Sequence, residues 1–343
     1  MKAAIYEGCK KITIRDVDKP VLDNNEVLIR VEYCGICGSD LFIYSGNNPR
    51  VKTHTIIGHE FCGKVVEINS FYQNLDLEIG NKVAVRPTYP CGQCEACKKG
   101  RFNICRNQAL FGVDTNGGFA EYVKVPLDNV IKVSDKVDYD EIAMVEPLSV
   151  AVHAVSRSNI KIGDKVLVLG GGPIGLLIAS VLKIAGASQI IVSEINPYRL
   201  EKARSLGFKV INSQKIDIFK EIKKITNGIG IDLLFDAAGV PCTAKQSAKL
   251  VRIQGEIVVV GLFEKPVEFD FLSFMQKEQR AIGAHIYTED DVKKAVELLE
   301  NEQLDVKPLI SNILKLEDIL GGFKMIQTNA GVMKILVTPK KEF

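Results

Sequence analysis

The stretch that most constrains the fold is "KVLVLGGGPIGLLIASVLKIAGASQIIVSEI", Lys165 to Ile195. It reads as strand, Gly-rich turn, apolar helix and second strand. Gly170, Gly172 and Gly175 have G-x-G-x-x-G spacing, and the second strand ends at Glu194, 19 residues after Gly175. Alone, the glycine spacing says little. In this context it is what a dinucleotide site needs: glycines permit the turn, the approach of a pyrophosphate, and tight helix–strand packing. The helix N-terminus then favours the phosphates' negative charge. An acid at Glu194 would accept bonds from both ribose hydroxyls and repel a 2′-phosphate, which predicts NAD over NADP. Arg199 stands close by as a countercharge.

The same alternation continues downstream. "RLEKARSLG", "IFKEIKKITNG" and "CTAKQSAKLVRIQG" read as helices, and "KVINS", "IDLLFDAAG" and "EIVVVGL" as strands. This order predicts a parallel sheet covered on both faces. The first third is different. "AAIYEG", "KITIRDV", "EVLIRVEYCGI", "FCGKVVEI", "NKVAVRP" and "GGFAEYVKV" are short β-rich runs separated by turns, the pattern of an all-β domain. The change comes near Glu146, where "PLSVAVHAVSRS" looks helical. The last part starts with the helix "TEDDVKKAVELLEN", with Thr288 as N-cap, and ends in the strand "VMKILVTP". A chain of 343 residues is long enough for two such cores.

Charge excludes several partners. The formal net charge is +2 with both signs mixed along the chain, so no nucleic-acid footprint or polybasic membrane patch is expected. No apolar run reaches the roughly 18 residues of a membrane span. "MKAAIYEGCKKITIRDV" shows no signal-peptide pattern, so a cytoplasmic location is expected.

Four of the nine cysteines crowd into "CGQCEACKKGRFNIC". Cys91, Cys94, Cys97 and Cys105 are separated by two, two and seven residues. In a reducing compartment such a cluster reads as metal binding rather than as a disulfide framework. Four thiolates suit tetrahedral zinc, and a closed shell makes the role structural. An iron–sulfur cluster is the competing metal, but ferredoxin runs have a shorter last gap and a proline after the fourth cysteine, where this chain has Arg106.

A second constellation starts in "GICGSDLFIYSGNN". Cys37 is followed 22 residues later by His59 in "GHE", both at the ends of predicted strands, and Glu146 opens the helix at the domain junction. A thiolate, an imidazole and a carboxylate can hold zinc and leave one position open, as catalysis requires. Asp40 is a natural partner to orient a ligand. Ser39 can accept or pass a proton from a substrate alcohol.

These residues, in this order, resemble the zinc-containing medium-chain dehydrogenases over essentially the whole chain. "GICGSD", "GHE", the four-cysteine lobe, "EPLSV" and "GGGPIG" carry the resemblance. The polyol branch is nearest: sorbitol (L-iditol) dehydrogenase, butanediol dehydrogenase and the galactonate, gulonate or idonate 5-dehydrogenases. The resemblance implies an α/β chain, with a GroES-like β domain over 1–149 and 287–343 that carries the lobe 91–105. A Rossmann NAD-binding domain, a doubly wound parallel sheet, would occupy 150–286, with the active site in the cleft between the two. It implies two Zn2+ per subunit and NAD as cofactor. Cys37 and His59 match the catalytic zinc ligands, and Glu146 stands where alcohol dehydrogenases have a third cysteine. In the polyol branch the glutamate after the histidine, here Glu60, can enter the zinc shell instead. Ser39 matches the proton-relay hydroxyl, and Lys334 aligns with a basic residue near the pyrophosphate. Pro173 and Ile174 in the loop, with Val260 and Gly261, complete the expected cofactor contacts. Many relatives place a histidine at Phe42 to pass the proton to solvent, and this chain has none there.

The implied reaction is oxidation of a secondary alcohol of a polyol or sugar acid to a ketone. Two rivals remain: a zinc-free quinone or enone reductase of the same fold, and a non-enzymatic zinc-ribbon interaction module. Neither explains all of Cys37, His59, Glu146 and the glycine loop. Arg50, Lys52 and Arg86 are candidates to meet a sugar-acid carboxylate. Tyr44 is a candidate pocket wall or core residue. His54, His153 and His285 read as structural, and Cys9, Cys34, Cys62 and Cys242 as small apolar fillers. Relatives are dimers or tetramers, and "EIVVVGL" and "RAIGAHIY" are candidates for sheet-to-sheet pairing between subunits.

Overall fold

The computed structural model describes residues 1–72, 76–328 and 331–340. The chain forms two compact units, Met1–Glu146 with Thr288–Phe343, and Pro147–Tyr287. It leaves the first unit within the helix Val145–Arg157 and returns to it after Tyr287.

The first unit is built on a seven-stranded sheet. The strand Glu26–Gly35 lies at its centre, antiparallel to Glu60–Asn69 on one side and to Lys334–Thr338 on the other. Alternating apolar residues such as Val27, Ile29 and Val31 point from it into one core with Phe61, Val83, Phe111, Phe119 and Ile335. A smaller sheet of Lys11–Asp16, Lys2–Gly8 and Thr55–Ile56 completes the unit. The register explains why distant residues converge. Gly35 pairs with Glu60 and with Leu336, so the ends of two strands and the middle of a third meet just before Cys37.

One element goes beyond the sequence reading. "GSDLFIY", Gly38–Tyr44, which that reading assigns to no element, is a helix. Its apolar run looks β-like, but Asp40 Oδ2 accepts from the Cys37 backbone N–H at 2.9 Å and fixes the first turn. Tyr44 then packs its ring 5.2 Å from Phe323, so it is a core residue.

The second unit is a six-stranded parallel sheet. Its order is Lys209–Asn212, Gln189–Glu194, Lys165–Leu169, Ile231–Asp236, Val251–Val259, Arg280–Gly283. The order reverses beside Lys165–Leu169, the strand that feeds the glycine loop, which is where such sheets bind ligands. The helix Pro241–Leu250 ends earlier than its sequence suggests. "VRIQG" begins the strand Val251–Val259, because Val251 is buried against Ile231 in the sheet. "EIVVV" therefore has a neighbour on each side, and of the two candidate pairing segments it is Arg280–Gly283 that lies at an edge of the sheet. No helix among the described residues is long and apolar enough to cross a membrane.

Candidate metal centres and dinucleotide loop

The sulfurs of Cys91, Cys94, Cys97 and Cys105 lie within 4.8 Å of one another. Cys94 Sγ is 3.5 Å from Cys97 Sγ and 3.8 Å from Cys105 Sγ. Four sulfurs about 2.3 Å from a tetrahedral zinc stand about 3.8 Å apart, so these side chains fit the ion. Backbone N–H groups of Cys97 and Arg106 pull the Cys94 thiol down to about 6, towards the thiolate a metal needs, whereas burial pushes Cys97 up to about 12. No cysteine is in a disulfide among the described residues. Cys34 and Cys62 are buried, as fillers should be, but Cys9 and Cys242 are exposed and are not.

The second centre brings Cys37, His59 and Glu60 within 4.8 Å. Cys37 follows the central strand by two residues and caps the helix Gly38–Tyr44, and Glu60 starts the neighbouring strand. Gly35 makes room for the carboxylate: a Cβ there would lie 2.2 Å from Glu60 Oε2. The donor set of thiolate, imidazole and carboxylate fits zinc with an open position. Glu146 is half-buried in the first turn of its helix and is not in this group. The carboxylate assembled with Cys37 and His59 is thus Glu60.

Asp40 is fully buried, and its Oδ1 lies 3.4 Å from His59 Nδ1. That leaves Nε2, 3.4 Å from Ser39 Oγ, as the nitrogen free to face a metal. Burial alone would lower the His59 pKa, but the charge and hydrogen bond of Asp40, with Cys37, raise it well above its ordinary value. Asp40→Asn keeps the shape and removes the charge. Metal affinity should fall by about 10–100-fold in a chelator competition. Unchanged affinity would mean that Asp40 serves only the Cys37 turn.

Lys334 was not legible as part of this centre. It is 4 % exposed, and its Nζ donates to Glu60 Oε1 and Oε2 at 2.7 and 2.6 Å and to Ile36 O at 3.3 Å. Burial would lower its pKa, yet the charges of Glu60, Cys37 and Glu146 hold it above the ordinary value. A buried carboxylate needs a countercharge, and this lysine supplies it to Glu60. The one sequence signal is a lone cation in the apolar run "VMKILV". Two of the other candidate cations have partners of their own. Arg50 Nε donates to Asp114 at 3.2 Å, Arg86 is buried with Nη2 on Asp128 O, and Lys52 is exposed.

In the second unit, Gly170 takes φ +96° and Gly172 caps the helix Pro173–Ile184, with Pro173 as its first residue and Ile174 next. A Cβ on Gly175 would lie 1.9 Å from Gly170 O, so the helix meets the turn only with glycine there. Glu194 Oε2 accepts from Gly171 N–H at 2.8 Å, and Oε1 from Ile195 and Asn196 N–H at 2.6 and 2.9 Å. Arg199 Nη1 is 3.9 Å from Glu194 Oε2. Val260 and Gly261 N–H both donate to Asp236 O, closing the turn after the fifth strand.

Residues 23–135 match the family of the alcohol dehydrogenase GroES-like domain, and residues 173–301 match the zinc-binding dehydrogenase family. The chain is 37% identical over 338 residues to 2-dehydro-3-deoxy-L-galactonate 5-dehydrogenase of Pseudoalteromonas atlantica, covering 98% of each. It belongs to the zinc-containing medium-chain dehydrogenases. This dehydrogenase is therefore an oxidoreductase, with a GroES-like domain and a Rossmann-like parallel sheet. It is also 34% identical over 350 residues to the sorbitol dehydrogenase of Bacillus subtilis, covering 99% of this chain and 98% of the relative. Among solved structures, a zinc-binding dehydrogenase from Sinorhizobium meliloti bound to NADP superposes with a TM-score of 0.91 and 32% identity, covering 98% and 99% of the two chains.

Proposed function

We propose that this dehydrogenase uses NAD to oxidise a secondary alcohol of a polyol or sugar acid to a ketone, with sorbitol or L-iditol at C2 as the leading case. Butanediol and the 5-position of galactonate, gulonate or idonate are the alternatives. The observation that carries the reading is the group Cys37, His59 and Glu60. A zinc ion held there would supply Lewis acidity toward an alcohol oxygen, and a nicotinamide the hydride acceptor. The four-cysteine lobe would hold a second, structural zinc.

The chain's own residues then orient and move the proton. Asp40 holds the His59 ring, and Ser39 Oγ stands beside it as the hydroxyl that receives the substrate proton. Phe42 is three residues on, on the same helical face, and cannot take the proton further. Both Glu60 oxygens already accept from Lys334, so water is the exit we favour. Phe42→His should leave metal content intact and add a group that titrates near pH 6.5 to the turnover profile. An unchanged profile would mean that proton exit never limits turnover.

The pinned carboxylate of Glu194 supports NAD over NADP, since a 2′-phosphate would meet it beside the glycine loop. Titration with each cofactor tests this, and equal affinities overturn it. NAD reduction is then followed across sorbitol, xylitol, 2,3-butanediol, threonine and aldonates. Turnover of threonine alone, or of none, overturns the polyol reading.

We also propose a homo-oligomer, dimer or tetramer, in the cytoplasm. Beside the open edge Arg280–Gly283, Phe271, Leu272 and Met275 are 63–71% exposed, an apolar patch that a second copy would cover. A monomer by light scattering overturns this.

A further inference from the structure

The first unit holds a cavity of about 310 Å³ that neither metal centre uses. That size sits at the lower end of small-molecule sites, roughly 300–1,000 Å³. Its walls include Tyr89, Phe111, Tyr122, Ile56 and Val123, so it is largely apolar with three aromatic rings. Of the residues that line it, Lys124 and Glu26 offset each other, with Lys124 Nζ 3.0 Å from Glu26 Oε2, and the Met1 ammonium donates to Val17 O at 2.7 Å. Asn116 adds a polar handle. Its Oδ1 accepts from Ile56 N–H at 3.0 Å, which leaves the amide hydrogens for a ligand acceptor.

The cavity wall is tied to the turn that carries His59. Gly117 N–H donates to Ile56 O at 2.7 Å, Gly118 N–H to Gly58 O at 2.8 Å, and Phe119 N–H to Ile57 O at 3.0 Å. There is no slack between them: a Cβ on Gly117 would lie 2.0 Å from Gly58 O. His59 is the next residue. Close-packed contacts of this kind transmit displacement rather than absorb it.

We propose that this cavity binds a small uncharged aromatic molecule bearing a hydrogen-bond acceptor, and that its occupancy alters the geometry at Cys37, His59 and Glu60. The second half rests on the reading of those residues as the metal centre. The three aromatic rings in the wall favour an aromatic ligand, and the pairing of Lys124 with Glu26 disfavours an ionic one.

The test uses the full-length protein with cobalt(II) in place of zinc and phenol as the probe. Calorimetry should show phenol binding at millimolar concentration or below, and the cobalt absorption bands should shift as it saturates. Tyr89→Ala and Thr115→Trp, the one opening and the other plugging the cavity, should each weaken phenol binding about tenfold. Cys37→Ser should still bind phenol, which separates this cavity from the metal centre. No binding, or binding lost in Cys37→Ser but untouched by Thr115→Trp, overturns the site. Binding at the cavity with unmoved cobalt bands overturns the coupling. If Cys37→Ser binds as many cobalt ions per chain as the wild type, the metal reading fails, whether or not phenol binds.

Discussion

Lys334→Met destabilises the protein by about 3–5 kcal/mol when unfolding by urea is followed in the presence of a chelator. The ammonium is buried, and both of its short bonds go to one carboxylate that is itself 1 % exposed. Methionine fills the volume of the stem but leaves Glu60 charged, buried and without a countercharge. Removing one member of such a pair costs much more than removing both, because the desolvated partner remains. Lys334→Met with Glu60→Gln should therefore recover most of the loss. Zinc should also recover part of it in the single variant, since a bound cation supplies the missing charge. A loss below about 1 kcal/mol in chelator would place the pair with exposed salt bridges and would mean that water reaches Glu60.

Cys37→Ser should lower turnover by at least about a thousandfold and remove one metal ion per chain. Serine keeps the size of the side chain, and the helix cap is held by Asp40 bonding the backbone N–H, so the fold should survive. What goes is one of three donors within 4.8 Å. Lewis-acid stabilisation of charge on the reacting oxygen is worth several kcal/mol, and each 1.36 kcal/mol is about a factor of ten in rate. The four-cysteine lobe should keep its own ion, so metal analysis gives a half-loaded protein. Retained activity in wild-type protein stripped of metal would sink the mechanism.

The parts that sequence spacing revealed are those whose geometry is local. Cys91 to Cys105 lie on one loop, and Gly170 to Gly175 on one turn, so residue spacing alone sets the sulfur and backbone positions. The choice between Glu60 and Glu146 was not local. It depends on strand register, on the space above Gly35, and on a lysine 274 residues away in sequence. The helix Gly38–Tyr44 was hidden for a different reason. Leu41, Phe42, Ile43 and Tyr44 are as suited to a strand as to a helix, and the deciding contact is the single Asp40 bond. The start of the strand at Val251 was likewise decided by pairing with Ile231 rather than by propensity.

The pairing of Lys334 with Glu60 also dates the assembly of the centre. A chain emerging from the ribosome presents Cys37, His59 and Glu60 early, and the whole six-stranded sheet of Pro147–Tyr287 can close before residue 334 exists. Until the strand Lys334–Thr338 docks beside Gly35, Glu60 has no ammonium to bury against and should remain in water. The centre is therefore complete only once the last strand of the chain has docked, however early Cys37, His59 and Glu60 come together.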